Sequence, residues 1–588
     1  MSSDDKVSIE PYFLGPKSEN EYSIREKIQQ TLDHWFQWRK SLFEDDPPAI
    51  NKQMRESSDY KAKQQKISES LELLNELLEA ETPTYTPRYI GHMVSEISLP
   101  AILGHFSALL HNPNNTSAEV ARVGSQIEKE GIGMLLDLVG YNSELGGGHF
   151  TSGGTLANFE AIWRARFRLD HWLSLALYLV DKKNIPLDIF SVCSMGWDTF
   201  YAKVQEYQVE LNDLRAYSLA AGNPWRVANI IARNSSRPFL GPVLLIPGNK
   251  HFSWQKGCNL FGFGEEALWS IPLDKHGRLN VEELEKLILK AHAESRPIIM
   301  VVSVAGTTET GVLDPVDRVQ DALDRFKSER GWDIWHHVDA AYGGFMCALN
   351  HHSSVASEIL SEGQAAALRG IARASSITMD PHKMGYIPYS CGAFLVPDEK
   401  NYVVSQFKAP YLQRQDIKMS KWSSTIEGSR TASGAAATWL TGKSLGFSSA
   451  DFAGLIASTF KGCQDFKKEL SQTYSWVRVL EPSATNILCF SVATNGQKLS
   501  VANAQTLGLF EKIALSPNFS VSKTVMANFE YGAAISAHVE GYGGEIDTDH
   551  LLLIRCVFMN PFWRKSALGL KVRAAMIAEI GELSGMNC

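Results

Sequence analysis

Positive charge is not in excess over this chain of 588 residues. Lysine and arginine number 57 against 65 aspartates and glutamates, a formal net charge of -8, and no long basic run interrupts the mixture. That balance lacks the footprint of a nucleic-acid binder or a protein held on an anionic membrane. Cysteine is sparse as well. The eight residues include no C-x-x-C pair, and several sit in apolar runs such as "NILCFSV" and "LIRCVFM". A disulfide framework and a thiolate metal site are therefore not expected, whereas buried thiols in a reducing compartment are. Long apolar runs are missing too: "WLSLALYLV" is typical and ends at "DKK", far short of a membrane span. The opening "MSSDDKVSIEPYF" has no basic region leading into an apolar stretch. A soluble cytoplasmic protein with no metal, no nucleic acid and no membrane partner is the expectation.

What is present is enough apolar material for a large core, 44% of residues, in a chain whose length suggests two to four domains. Residues 1 to about 80 are polar and helical in pattern, with leucines at helical spacing beside acids in "SESLELLNELLEAE". Prolines in "TPTYTPRYIGHM" break that pattern, and "SLPAILGHFSALLHNPNN" follows as a more apolar helix. From about 115 to 400 helices alternate with short apolar runs: "GPVLLIPG", "PIIMVVSVAG", "WDIWHHVDA", "SSITMD" and "CGAFLVP". Such alternation predicts a mostly parallel sheet covered by helices, with ligands beyond the carboxyl ends of its strands. Residues from about 164 to 240 read as an inserted helical elaboration. A last α/β region holds strands at "ATNILCFSV" and "HLLLIRCVFM". The boundaries expected are 1–115 for the helical N-terminal segment, 116–435 for the large domain and 436–588 for a smaller C-terminal α/β domain.

Unusual residues collect where those strands end. In "GGGHFTSGGTLANFEAIWRAR", Gly153, Gly154 and Thr155 open a helix whose exposed N–H groups and dipole make a phosphate cradle. The plainer reading is a steric glycine turn; the spacing fits neither a Walker loop nor a dinucleotide fingerprint. In "HHVDAAYGG", Asp339 ends an apolar strand, either capping a helix or pairing with a protonated ring nitrogen. Ala341 is small enough to let a flat ring lie against the backbone. His251, in "PGNKHFSWQKG", is a core histidine or a stacker on the ring's other face. Lys383, in "TMDPHKMGYIPYS", is a surface cation or an amine for a carbonyl. Taken together the four describe a single ligand, pyridoxal 5'-phosphate.

In "TSGGTLAN", "HVDAAYGG" and "DPHKMGY", in that order, the chain resembles the group II pyridoxal-phosphate-dependent amino-acid decarboxylases, of fold type I (aspartate-aminotransferase-like). Supporting stretches are "PRYIGHM", "NPNN", "KHFSW", "GTTETG", "TIEGSR" and "MNPF", so the likeness runs from about 80 to 565. "DPHKMGYIPY", "HFSW" and the insertion look closest to the bacterial tyrosine decarboxylases. The resemblance implies a seven-stranded large domain and a homodimer whose N-terminal segment wraps the partner. It implies that Lys383 carries the cofactor's aldehyde, Asp339 its ring nitrogen, and that His251 and Ala341 flank the ring. Gly153, Gly154, Thr155 and His382 would surround the phosphate, with Thr308 near the phenolic oxygen. Tyr411, in "APYLQRQ", matches a loop tyrosine that returns a proton to the product.

Some departures leave choices open. Arg555 and Arg430 are both candidates for the substrate carboxylate, and a structural ion pair serves either equally well. Asp380 stands where animal relatives have an amide; beside a phosphate it would repel, so it is expected to point elsewhere or cap a turn. Tyr89 and His92 are candidates for the substrate pocket. An aromatic L-amino acid such as tyrosine is the first substrate expectation and an acidic one the second. A carbon–carbon lyase or transaminase is the alternative reaction, and a non-catalytic interaction protein is disfavoured by the presence of Lys383, Asp339 and His251 together.

Overall fold

A computed structural model describes residues 8–399 and 424–586 of the chain. Seven strands, β1 (Gly147–Thr151), β2 (Val243–Pro247), β3 (Leu268–Ile271), β4 (Ile298–Val304), β5 (His336–Ala340), β6 (Ser376–Met379) and β7 (Gly392–Val396), form one sheet in the order β1-β7-β6-β5-β4-β2-β3. Neighbours from β6 to β3 are parallel, while β7 runs antiparallel to both β6 and β1. Except for the edge strand β3, every residue of these strands is buried. Continuous Val/Ile/Leu runs such as "IIMVVSV" suit a sheet covered on both faces. The order of connection carries the ends of β2, β4, β5 and β6 to one edge of the sheet, where the helix following β1 also starts.

All five apolar runs singled out in the large region are strands. β1 and β3 are additional. The glycines of "GGHFT" disguise β1, but they suit its close packing: a Cβ at Gly148 would lie 2.5 Å from the Phe394 carbonyl oxygen on β7. β3 is four residues long and half exposed, too short for its alternation to register.

The boundary expected at 164 is corrected. One helix, Gly154–Lys183, runs straight through that position, so the helix that starts at the sheet edge is also the first element of the elaboration. Its far half packs Leu169, Trp172 and Leu173 with Phe200, Val227 and Ile231 from the helices Trp197–Glu206 and Pro224–Asn234. Asp170 closes the unit by accepting the Leu219 N–H at 2.6 Å.

Four strands, β8 (Val477–Val479), β9 (Ile487–Val492), β10 (Ser522–Ala527) and β11 (His550–Val557), form a second, antiparallel sheet in the order β10-β11-β9-β8. Before the first sheet, residues 8–20 lie along the body as a strap. Phe13 is fully buried, its ring edge-on to Tyr386 at 5.4 Å. The helices Glu21–Ser41 and Ser58–Leu78 that follow bury no residue at all. Among the described residues no helix is long and apolar enough to cross a membrane, and the seven described cysteines are free and buried.

Candidate active site

A cavity of about 440 Å³ opens at the strand ends of the first sheet. Gly153, Gly154, Thr155, His251, Thr308, Asp339, Ala341, His382 and Lys383 all line it. Every described residue expected in the cofactor site is therefore brought to one place. Tyr411 lies outside the described residues.

Asp339 is the penultimate residue of β5 and nearly buried, so its charge needs partners. Its Oδ2 accepts from Asn158 Nδ2 at 2.9 Å and Trp254 Nε1 at 3.1 Å, and its Oδ1 from the Ala341 N–H at 3.3 Å. Asn158 also donates to Ser253 Oγ at 3.0 Å, and Ser253 Oγ lies 2.9 Å from His251 Nδ1. One polar chain thus joins the carboxylate to the imidazole across three elements. Burial lowers His251 below the usual histidine range, with Asp339 pulling the other way, so the ring is neutral at neutral pH. Asn158, Ser253 and Trp254 stood inside quoted motifs without being assigned. Asn158 follows Gly154 by four residues, one helical turn, and that spacing was the available signal.

Lys383 hangs on a turn after β6, its N–H donating to the Asp380 carbonyl at 3.0 Å. The turn folds the amine back so that Nζ sits 3.1 Å from Asp380 Oδ2. Asp380 is thus corrected: it faces the cavity because the lysine cation offsets its burial. Downstream, Tyr386 has φ +57° and donates its hydroxyl to the Met559 carbonyl at 2.8 Å, while Phe13 backs its ring. His382 Nδ1 accepts the Cys391 N–H at 3.2 Å, which directs Nε2 toward Asp380, 3.5 Å away.

The helix Gly154–Lys183 begins on the cavity wall; Leu156 and Ala157 donate their N–H groups to the Gly153 carbonyl at 3.0 and 3.1 Å, while those of Gly154 and Thr155 stand at the open end of the helix. A Cβ at Gly154 would come within 2.8 Å of Asp380 Oδ2 and 3.1 Å of the Ala341 methyl, so glycine is required there by close approach. The other candidates lie off the wall. Arg430 is buried in an ion pair with Glu128 and donates to the Asn115 carbonyl at 2.7 Å, a structural role. Arg555, on β11, donates to the Gly91 carbonyl at 3.3 Å and Ser522 Oγ at 3.2 Å, and its buried Nε has no hydrogen-bond partner among the described residues. The Arg555 charge acts on both Tyr89 and His92, and none of the three lines the cavity.

An anion-binding helix start, a braced carboxylate, a neutral imidazole and an amine around one cavity fit a flat, phosphorylated pyridine aldehyde. With the sheet order, they define a pyridoxal-phosphate enzyme of fold type I. Residues 235–493 match the pyridoxal-dependent decarboxylase conserved domain. The chain is 27% identical to the L-tyrosine decarboxylase of Levilactobacillus brevis, over 95% of its own length and 93% of the relative's. It is 28% identical to that of Enterococcus faecium, over 95% of each. The crystal structure of mouse CSAD superposes with a TM-score of 0.62 at 19% identity, covering 93% of this chain and 92% of that one. Residues 235–493 thus carry the pyridoxal-dependent decarboxylase domain, and the relatives matched along most of the chain are amino-acid decarboxylases.

Proposed function

We propose that the protein decarboxylates an aromatic L-amino acid, tyrosine first, to its amine and carbon dioxide. The observation that carries the reading is the convergence of Lys383, Asp339 and His251 on one cavity at a helix start. When bound, the cofactor supplies an electron sink for the pair released as the carboxylate leaves. Lys383 would hold its aldehyde, and Asp339 would keep its ring nitrogen protonated. Asn158 and Trp254 hold Asp339 in turn. His251 and Ala341 would flank the ring. Gly153, Gly154, Thr155 and His382 would hold the phosphate, and Thr308 would serve the phenolic oxygen. Tyr411, outside the described residues, would return the proton to the product carbon.

The two tyrosine decarboxylases, matched over nearly their whole length, support tyrosine as substrate. The working unit is a homodimer in the cytoplasm. The helices Glu21–Ser41 and Ser58–Leu78, none of whose residues is buried by their own chain, support the dimer. The units are an N-terminal segment (1–115), a cofactor domain (116–435) and a C-terminal domain (436–588). The two sheets, in residues 147–396 and 477–557, support that division.

Purified protein given pyridoxal phosphate and a panel of L-amino acids tests the reading. Tyrosine is expected to yield equal amounts of tyramine and carbon dioxide. Turnover of an acidic amino acid alone would replace the substrate assignment, and carbon dioxide without matching amine would reject simple decarboxylation.

A further inference from the structure

Asp380 has no part in the chemistry above, yet it stands where a second negative charge is hardest to hold. It is 2% exposed; one oxygen faces Lys383 Nζ at 3.1 Å, and the other is buried with no hydrogen-bond partner among the described residues. Both oxygens crowd the first turn of the helix Gly154–Lys183, at 2.8 and 3.2 Å from where a Gly154 Cβ would sit. Among the described residues, the titratable groups around it are Lys383, His382, Tyr389 and Cys391 on its own loop and His251 from the end of β2, with Asp339 on the same cavity wall. Burial lowers both histidines and pushes Tyr389 and Cys391 up to about 12, so these four are uncharged at neutral pH. Among the described residues lining the cavity, Lys383 is the only lysine or arginine.

A phosphate resting on that helix start brings two negative charges next to Asp380. At the same time the cofactor's aldehyde engages the amine that had offset the carboxylate. A buried carboxylate beside a dianion is costly unless a proton enters. We propose that Asp380 takes up one proton from solvent when the cofactor's phosphate binds, and that the carboxyl group then donates a hydrogen bond to the phosphate. The inference rests on the cofactor reading above. Only an O–H bond forms, and nothing is oxidised or reduced. Capture of the cofactor is therefore linked to pH, strong in mild acid and weaker as the pH rises.

The test is the dissociation constant of pyridoxal phosphate against pH, for wild type and for Asp380→Asn, whose amide donates without a proton. From about pH 7 to 9, wild-type affinity should fall up to about tenfold more per pH unit than the variant's, the slope of one extra proton. Parallel profiles overturn the proposal, as does a folded variant that binds nothing. If the variant does not fold, calorimetry of the wild type in two buffers of different ionisation enthalpy decides. About one more proton should be taken up with pyridoxal phosphate than with pyridoxal; equal uptake overturns the proposal. A wild type that binds no pyridoxal phosphate at any pH removes the cofactor reading itself, and this inference with it.

Discussion

A carboxylate that must stay charged inside a protein needs donors fixed before the ligand arrives. Asp339 has two side-chain donors on one oxygen, and both come from helices that begin at the cavity. Asn158 is the more consequential of the two, because it also holds Ser253 and through it His251. Asn158→Ala removes a hydrogen bond to a charged group, worth roughly 1.5–3 kcal/mol. Turnover should drop on the order of tenfold or more while the fold survives, measured as kcat alongside a thermal melt. An unchanged kcat would take Asn158 out of the site. Lys383, Asp339 and His251 were legible in the sequence because their chemistry is conspicuous at the end of an apolar run. Asn158 and Trp254 were not, since their importance comes from what β5 presents across the cavity. Asp380 was misjudged for the same reason. Its charge argued for pointing away, and only the folded turn reveals the amine that offsets it.

At the scale of elements, the strap supports the lysine turn from behind. Phe13 packs on Tyr386, and Glu96 pins the strap by accepting the Gly15 N–H at 2.7 Å. Burial, with some repulsion from Glu19, raises the Glu96 carboxyl to about 7 despite that hydrogen bond. A carboxyl raised in the folded state holds its proton more tightly there. Its stabilisation is fully present below the unfolded value, near about 4.3, and is lost as pH rises through about 7. Glu96→Gln stays neutral throughout. It should melt above wild type at about pH 8, with the gap closing as the pH falls toward about 4.5. A gap that is constant with pH would show that Glu96 does not titrate in this way. The main parallel strands could be read because buried runs of Val and Ile persist for several residues. β1 could not, because its glycines answer to the backbone of β7, which lies more than two hundred residues away in the chain.

At the scale of the whole molecule, the N-terminal pair of helices leaves apolar surface uncovered. Ile67, Leu71, Leu74 and Leu78 recur at helical spacing on Ser58–Leu78 and are each more than half exposed. The leucine pattern of this segment was plain in the sequence; what would cover it was not, because no second chain is written there. If a second copy covers that face, removing residues 1–80 should convert the dimer to a monomer and expose apolar surface. Light scattering of the full-length and shortened chains measures this, and a full-length monomer would rule the arrangement out.

The central claim is that Lys383 carries the cofactor. Borohydride reduction of the protein with bound pyridoxal phosphate, followed by peptide mass mapping, tests it most directly. The account requires the label on the peptide containing Lys383 and its loss in Lys383→Ala. A label on another lysine, or none on a protein that turns its substrate over, would contradict it.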